Sequence, residues 1–256
     1  MFKQNSKFLN IINVRNVIIK NLKFSLVFIV FGIIVFVLFG LKKAEKTYYV
    51  NSVLWQVHSI KDGSNEGLVL LTIDDSPREE TTVGFLDLLD KYEVKAIFFL
   101  NGYLCEAQPG LIEEILSRGH EVGNHTWQHR KLSELSREDA ENEIIKLNKW
   151  LEQNLYYKPR FFRPPYGVAT NVSDSLILKS GMKNMGWSVN SFDYEYQNDE
   201  IAEDEYMEIA RRTLNGMDDG DIILMHDREI SLRALEIIIE QLLQQGYIFI
   251  DPHKLL

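Results

Sequence analysis

At 256 residues, with 45% hydrophobic and 25% charged side chains, the chain has material for one sizeable packed domain and a short appendage, and this balance does not suggest disorder. Its charge is uneven: residues 1–46 carry eight Lys or Arg and one acidic residue, whereas residues 47–256 carry 20 against 36, a net −16. So acidic a domain argues against nucleic acid or an anionic membrane surface as its partner. The single cysteine, Cys105, excludes an intramolecular disulfide and a thiolate metal cluster and reads as a small buried hydrophobe.

In chain order, residues 1–23 are a basic segment with Lys3, Lys7, Arg15, Lys20 and Lys23 and no acid. Residues 24–41, FSLVFIVFGIIVFVLFGL, are 18 residues without a charge. As a transmembrane helix they would be about 27 Å long, close to a bilayer's hydrocarbon core. The positive-inside rule keeps residues 1–23 cytoplasmic and exports the chain beyond Leu41. The apolar run exceeds the usual signal-peptide core of about 7–15 residues, and no Ala-x-Ala-like site comes after it. The expectation is therefore an uncleaved single-pass anchor in the cell membrane with an extracellular domain. Residues 42–66 read as a polar linker with a turn at KDGSN.

From residue 67 to 256, short apolar runs alternate with helical periodicity. The predicted strands are GLVLLT (67–72), VKAIFFL (94–100), GHEVGN (119–124), RFFR (160–163), NMGWSV (184–189), DIILMH (221–226) and GYIFI (246–250). Helices are expected over 81–92, 110–119, 136–153, 173–181, about 200–215 and 231–246, with Ser136 and Asp139 as a weak capping box. Alternation without a hairpin signal implies a parallel sheet. Seven units suggest an α/β fold, a distorted (β/α)7 barrel related to the TIM barrel.

In such barrels chemistry gathers at the C-terminal ends of strands. The first strand ends in DDSP, with Asp74 and Asp75, and the third in NHTWQH, with His125 and His129 four residues apart. That spacing puts two imidazoles on one face of a helical turn. RPPYG brings Arg163 and Tyr166, NSFDY brings Asp193, and HD brings His226. Two imidazoles and a carboxylate make the ligand set of an open catalytic zinc site; a second carboxylate can serve as base and a separate histidine as acid. Successive side chains on a strand point to opposite faces, so Asp74 and Asp75 need not share a task.

These motifs resemble those of the polysaccharide deacetylase family (NodB-type, carbohydrate esterase family 4). TIDDSP is similar to its Thr-Phe-Asp-Asp-Gly-Pro, HTWQH to His-Ser/Thr-x-x-His, RPPYG to Arg-x-Pro-Tyr/x-Gly, NSFDY to Asp-x-x-Asp-Trp and ILMHD to Leu-x-His, in order over roughly residues 67–256. The resemblance implies that Asp75, His125 and His129 bind a divalent metal, most simply Zn2+, and that Asp74 is the general base, oriented by Arg163. It further implies that the Tyr166 backbone N–H serves the oxyanion, and that His226 protonates the leaving amine with Asp193 tuning its pKa. The implied substrate is an acetylated glycan.

Three positions depart from the pattern: Ser76 for glycine, Asn190 for the fourth motif's first aspartate and Tyr194 for its tryptophan. The last two bear on pocket shape and activity level and keep open a carbohydrate-binding pseudoenzyme. A de-O-acetylase of xylan or exopolysaccharide also stays open, because an ester is an easier target for the same groups. An Asp-Asp phosphohydrolase ranks low, since no Gly-rich phosphate cradle is visible. Trp127, Trp187 and Tyr194 are candidates for sugar stacking or for the core, and His58, His120 and His253 match no motif.

Overall fold

The computed structural model describes residues 46–196 and 201–256, and Lys46–Leu256 is one compact unit. The expected cytoplasmic segment and anchor, residues 1–23 and 24–41, lie outside the described residues; among the described residues no helix is long and apolar enough to cross a membrane.

Ten strands form one sheet: β1 (Tyr48–Asn51), β2 (Gln56–Ser59), β3 (Leu68–Ser76), β4 (Ala96–Leu100), β5 (Glu121–Asn124), β6 (Phe161–Phe162), β7 (Lys183–Asn184), β8 (Val189–Asn190), β9 (Asp221–His226) and β10 (Ile248–Phe249). Among the described residues seven α-helices intervene: α1 (Thr82–Lys91), α2 (Gly102–Ala107), α3 (Pro109–Ser117), α4 (Arg137–Leu155), α5 (Asn171–Ser180), α6 (Glu203–Asn215) and α7 (Glu229–Gln244). Parallel ladders run β8-β9-β3-β4-β5-β6-β7, the curled α/β sheet that strand-helix alternation dictates. As expected, Ser136 caps α4, its hydroxyl accepting from the Asp139 N–H at 3.1 Å.

The period-2 rule is visible in the packing. Leu70, Ile97, Phe99, Phe161 and Ile222 pack in one cluster, facing the inside of the curl. Their neighbours Leu71, Ile73, Phe98, Val122, Ile223 and Met225 pack in another with Phe85, Leu86, Leu235 and Ile238 from the helices. Cys105 lies in this second cluster, fully buried. Inward-facing Leu70, Thr72 and Asp74 on β3 thus share a face with Ile222, Leu224 and His226 on β9.

Three expectations need correction. Residues 48–59, read as linker, form the antiparallel β1-β2 hairpin, whose Gln56 pairs with Asp221 of β9. The predicted strand 184–189 is two strands of two residues at opposite edges of the parallel array. Between them the backbone changes partner: the Met185 N–H donates to Phe162 and the Ser188 N–H to Ile222. The curl is therefore joined here by the chain, with no β7-β8 ladder among the described residues, so the barrel is incomplete. Finally, the strand predicted over 246–250 does form, as β10, but it pairs with the start of β3 at Leu68 and Val69, on the same edge that β4 occupies higher up, so it is not a seventh stave of a barrel.

Candidate active site

At the C-terminal ends of β3, β5, β6 and β9 lies a cleft of about 620 Å3 whose wall includes Asp74, Asp75, His125, His129, Tyr166 and His226. Regular alternation would turn Asp75 away from Asp74. The β3-β4 register shifts between Asp74 and Ser76, and Asp75 takes a left-handed φ of 61°, which swings its carboxylate to the same mouth. The two carboxylates differ in their main partners, although both stand near His125 Nε2, Asp74 Oδ2 at 3.6 Å and Asp75 Oδ1 at 3.9 Å.

Asp74 is buried and points to Arg163. Arg163 has no exposed surface, and every nitrogen of its fork is used. Nη1 donates to Asp74 Oδ1 at 2.7 Å and to Thr72 Oγ1 at 2.8 Å, Nε to the Met185 carbonyl at 3.0 Å, and Nη2 to the Gly186 carbonyl at 2.8 Å. The crossing segment 185–188 thus spends two carbonyls on this side chain, which is why it is not a strand. Burial pushes the guanidinium below its ordinary pKa and the Asp74 charge opposes that shift; arginine stays cationic throughout the accessible range.

His125 and His129 meet, but not on the helical turn expected from their spacing. Residues 125–131 are a loop in which Thr126 and His129 have φ of 71° and 55°. Asn124 Oδ1 accepts from the Thr126 N–H at 2.8 Å, and the buried Glu143 accepts from the Gln128 N–H at 2.7 Å. The rings end 4.8 Å apart. His125 Nδ1 donates to the Arg163 carbonyl at 2.7 Å, so its Nε2 carries the lone pair that faces the cleft. Burial, reinforced by the neighbouring His125 ring, pushes His129 below the usual imidazole value, favouring the neutral form that can ligate.

Asp75, His125 and His129 offer ligand atoms all within 4.8 Å of one another. Asp75 Oδ1 stands 3.6 Å from His129 Nε2 and 3.9 Å from His125 Nε2, too far for hydrogen bonds, and this buried oxygen has no hydrogen-bond partner. The spacing is close to the edge, about 3.4 Å, of a tetrahedron with bonds of about 2.1 Å. Two imidazole nitrogens and an orphaned carboxylate oxygen fit a divalent cation.

Across the cleft, His226 Nδ1 lies 2.7 Å from Oδ1 of the fully buried Asp193. Asp193 Oδ2 accepts from the His226 N–H at 2.7 Å and from Ser231 Oγ at 2.5 Å, and the Asp193 carbonyl accepts from Arg228 at 2.8 Å. Burial works against the imidazolium, but the hydrogen bond and charge of Asp193 outweigh it and push the His226 pKa up to about 9. Tyr166, 63% exposed, sits in the turn Pro165–Gly167 with φ 59° and sets its ring edge-on to His129 at 4.8 Å.

The two unusual cleft residues form a pair: Asn190 Nδ2 donates to Tyr194 Oη at 3.3 Å, and Tyr194 packs edge-on to His226. Of the candidate stacking residues, Trp127 is core whereas Trp187 and Tyr194 line the cleft. Two supports had no motif to reveal them. Asp227, buried, donates its N–H to the Asp74 carbonyl and accepts from Thr81 Oγ1 and Thr82 Oγ1 at 2.5 Å each. Asn101 ties Nδ2 to the His125 carbonyl at 2.9 Å. An aspartate directly after His226 was the only signal for the first; the second had none.

Comparison with known proteins accords with this geometry. A family model described as polysaccharide deacetylase matches residues 61–185. The peptidoglycan-N-acetylglucosamine deacetylase PgdA of Listeria monocytogenes is 34% identical over 212 residues, 82% of this chain but 43% of that relative, so the chain spans less than half of its length. A peptidoglycan-N-acetylglucosamine deacetylase of Bacillus cereus is 32% identical over 219 residues, 84% of this chain and 96% of the relative. The solved structure of peptidoglycan deacetylase PdaC from Bacillus subtilis is similar with a TM-score of 0.64 at 34% identity, covering 71% of this chain and 86% of that one.

Proposed function

The chain belongs to the polysaccharide deacetylase family, and from that premise we propose that it hydrolyses the acetamide of N-acetylated sugars in an extracellular polysaccharide. Peptidoglycan or a chitooligosaccharide-like N-acetylglucosamine chain is the favoured substrate. The observation that carries this reading is the meeting at one cleft of three ligand atoms, an arginine-held carboxylate and an aspartate-held imidazole.

Asp75, His125 and His129 would hold the divalent cation, zinc by the donor set. When bound, such an ion acidifies water and neutralises the negative charge that develops on an acyl oxygen. Asp74 takes the proton from the attacking water; Arg163 and Thr72 fix the orientation in which it does so. As the oxygen of water bonds to the acetyl carbon, the backbone N–H of Tyr166 stabilises the carbonyl oxygen. His226, protonated at neutral pH by its pair with Asp193, gives its Nε2 proton to the sugar nitrogen. The C–N bond then breaks, leaving acetate and a free amine. Trp187 and Tyr194 shape the pocket for the sugar ring.

Residues 24–41 serve as an uncleaved anchor that keeps the domain at the outer face of the cell membrane, in reach of wall glycan. Fractionation of the full chain, with alkali-resistant membrane association expected, checks this part separately.

The test is acetate release by the metal-loaded full chain from a panel of N- and O-acetylated glycans, with and without chelator, beside Asp74→Asn. Release from N-acetylglucosamine oligomers that chelator and Asp74→Asn both abolish supports the proposal. Release from O-acetylated xylan alone would make the chain a de-O-acetylase. Glycan binding with no release from any substrate would make it a carbohydrate-binding pseudoenzyme, the reading that Asn190 and Tyr194 keep in view.

A further inference from the structure

The cleft at Asp75 continues beyond Trp187. Pro164, Tyr166, Gly167 and Trp187 wall both the cleft and a second depression of about 220 Å3. Trp55, Asn184 and Met185, in the wall of that second depression, also line a third of about 550 Å3, which runs on past Tyr49 and Phe161. Shared walls make one track.

Two indoles mark its length, each seated on a glycine. A β-carbon on Gly167 would lie 2.6 Å from the Trp187 ring, and one on Gly186 would lie 2.5 Å from the Trp55 ring, so any side chain at either position would lift the indole off the backbone. Trp55 comes from the turn of the β1-β2 hairpin, where a φ of 53° directs the chain and the Asn51 to Gln56 pairing holds it. It precedes the segment that the family model matches, residues 61–185. Asn184 lines both outer depressions, and its buried Oδ1 has no protein partner. Among the described residues lining the two outer depressions, Lys183 is the one charged side chain.

Flat aromatic faces and little charge suit a neutral, hydroxyl-rich ring polymer better than a peptide or an anion: the C–H face of a pyranose lies on an indole and leaves the hydroxyls at its rim free to hydrogen-bond. We propose that Trp55 is an accessory sugar-stacking site for the same glycan chain whose acetylated unit reaches Asp75, so that the protein grips several consecutive sugars. The identity of the glycan rests on the function proposed above. Linked weak subsites of this kind strengthen binding of a long chain without changing the reacting unit, because the second contact is intramolecular once the first is made.

The test measures binding without turnover. Full-length Asp74→Asn protein is titrated calorimetrically with the dimer and the hexamer of N-acetylglucosamine, beside the same protein carrying Trp55→Ala or Trp55→Phe. The hexamer is expected to bind more tightly than the dimer, Trp55→Ala to cut that preference about tenfold, equal to about 1.4 kcal/mol, and Trp55→Phe to keep most of it. Should Trp55→Ala fail to fold, Trp55→Leu, which retains apolar bulk over Gly186 but no flat face, takes its place with the same expectation. An unchanged length preference in the variant, or none in the Asp74→Asn parent, overturns the proposal. Acetate release by the wild-type chain is read separately. Loss of the preference in a chain that releases no acetate would support this site while overturning deacetylation; release with an unaltered preference would do the reverse.

Discussion

Asp74 and His226 are register partners on the neighbouring parallel strands β3 and β9, and both side chains fall on the inner face of the curl. The carboxylate that would accept a proton and the imidazole that would give one are therefore set by a single ladder, and each is held from behind by a buried group of opposite charge, Arg163 and Asp193.

The His226–Asp193 pair makes stability and activity depend on pH in a defined direction. The folded pKa of His226, about 9, lies above the value of about 6.5 expected in the unfolded chain. The stability it contributes is thus fully present below about pH 6.5 and is lost as pH rises through about 9. In denaturant titrations, Asp193→Asn should remove this pH-dependent loss. In acetate-release profiles, the alkaline limb should fall near pH 9 in the wild type and move to lower pH in the variant. Superimposable profiles would mean that Asp193 does not hold the proton on His226.

Removing Arg163 should be among the costliest single changes. Arg163→Met leaves the buried Asp74 carboxylate without its counter-charge and orphans the acceptors at Thr72, Met185 and Gly186. A loss of about 3–5 kcal/mol in urea unfolding is expected. Arg163→Lys should recover only part of it, because one ammonium cannot reach four acceptors arranged around a planar fork. A cost under about 1 kcal/mol for Arg163→Met would contradict the buried pairing.

Metal should stabilise the fold through Asp75, His125 and His129. Zn2+ at a hundredfold excess over its Kd should raise unfolding free energy by about 2.7 kcal/mol, visible as an upward shift in Tm that chelator reverses. Asp75→Ala and His129→Ala should each abolish the shift, while His253→Ala, at an exposed ring that pairs with Glu121 away from the cleft, should keep it. Equal shifts in all three variants would place the ion elsewhere.

Asp227 should matter although it lines no part of the cleft. Its carboxylate is the buried acceptor for Thr81 and Thr82 at the start of α1, and burial pushes its pKa up from the ordinary carboxylate range. Asp227→Ala removes the carboxylate that accepts from both hydroxyls, leaving Thr81 Oγ1 only its 3.4 Å contact with the residue 227 carbonyl and Thr82 Oγ1 only the Arg78 N–H it accepts from; a cost of about 1–3 kcal/mol is expected, and Asp227→Asn, which keeps an acceptor, should cost less. The pair of unfolding free energies checks the ordering.

Much of this could be read from the chain alone, and for local reasons. The alternating apolar runs mark β3, β4, β5 and β9 because burial between a helix layer and an inner core needs apolar side chains on both faces. The ends of those runs carry Asp, His and Arg because that is where the backbone leaves the core. The hairpin at 48–59 is not legible in the sequence because its strands are half exposed and polar in part, so no period distinguishes them from a linker. Segment 184–189 looked like one strand because its apolar content is real: Met185, Trp187 and Val189 face buried or cleft surfaces even though the backbone crosses between two edges.

The sequence by itself determined which chemical groups are available and which strand ends carry them, since side-chain identity and short-range periodicity are local properties. Only the tertiary structure decided their relations: that Asp75 turns against strand alternation through a left-handed φ, that His125 and His129 converge on a loop instead of a helix, that Asp227 braces β3, and that Trp55 reaches the track beyond Trp187. Each of these depends on residues far apart in the chain being pressed together by packing, and no local pattern of residues encodes which distant partner a backbone group or a ring will meet.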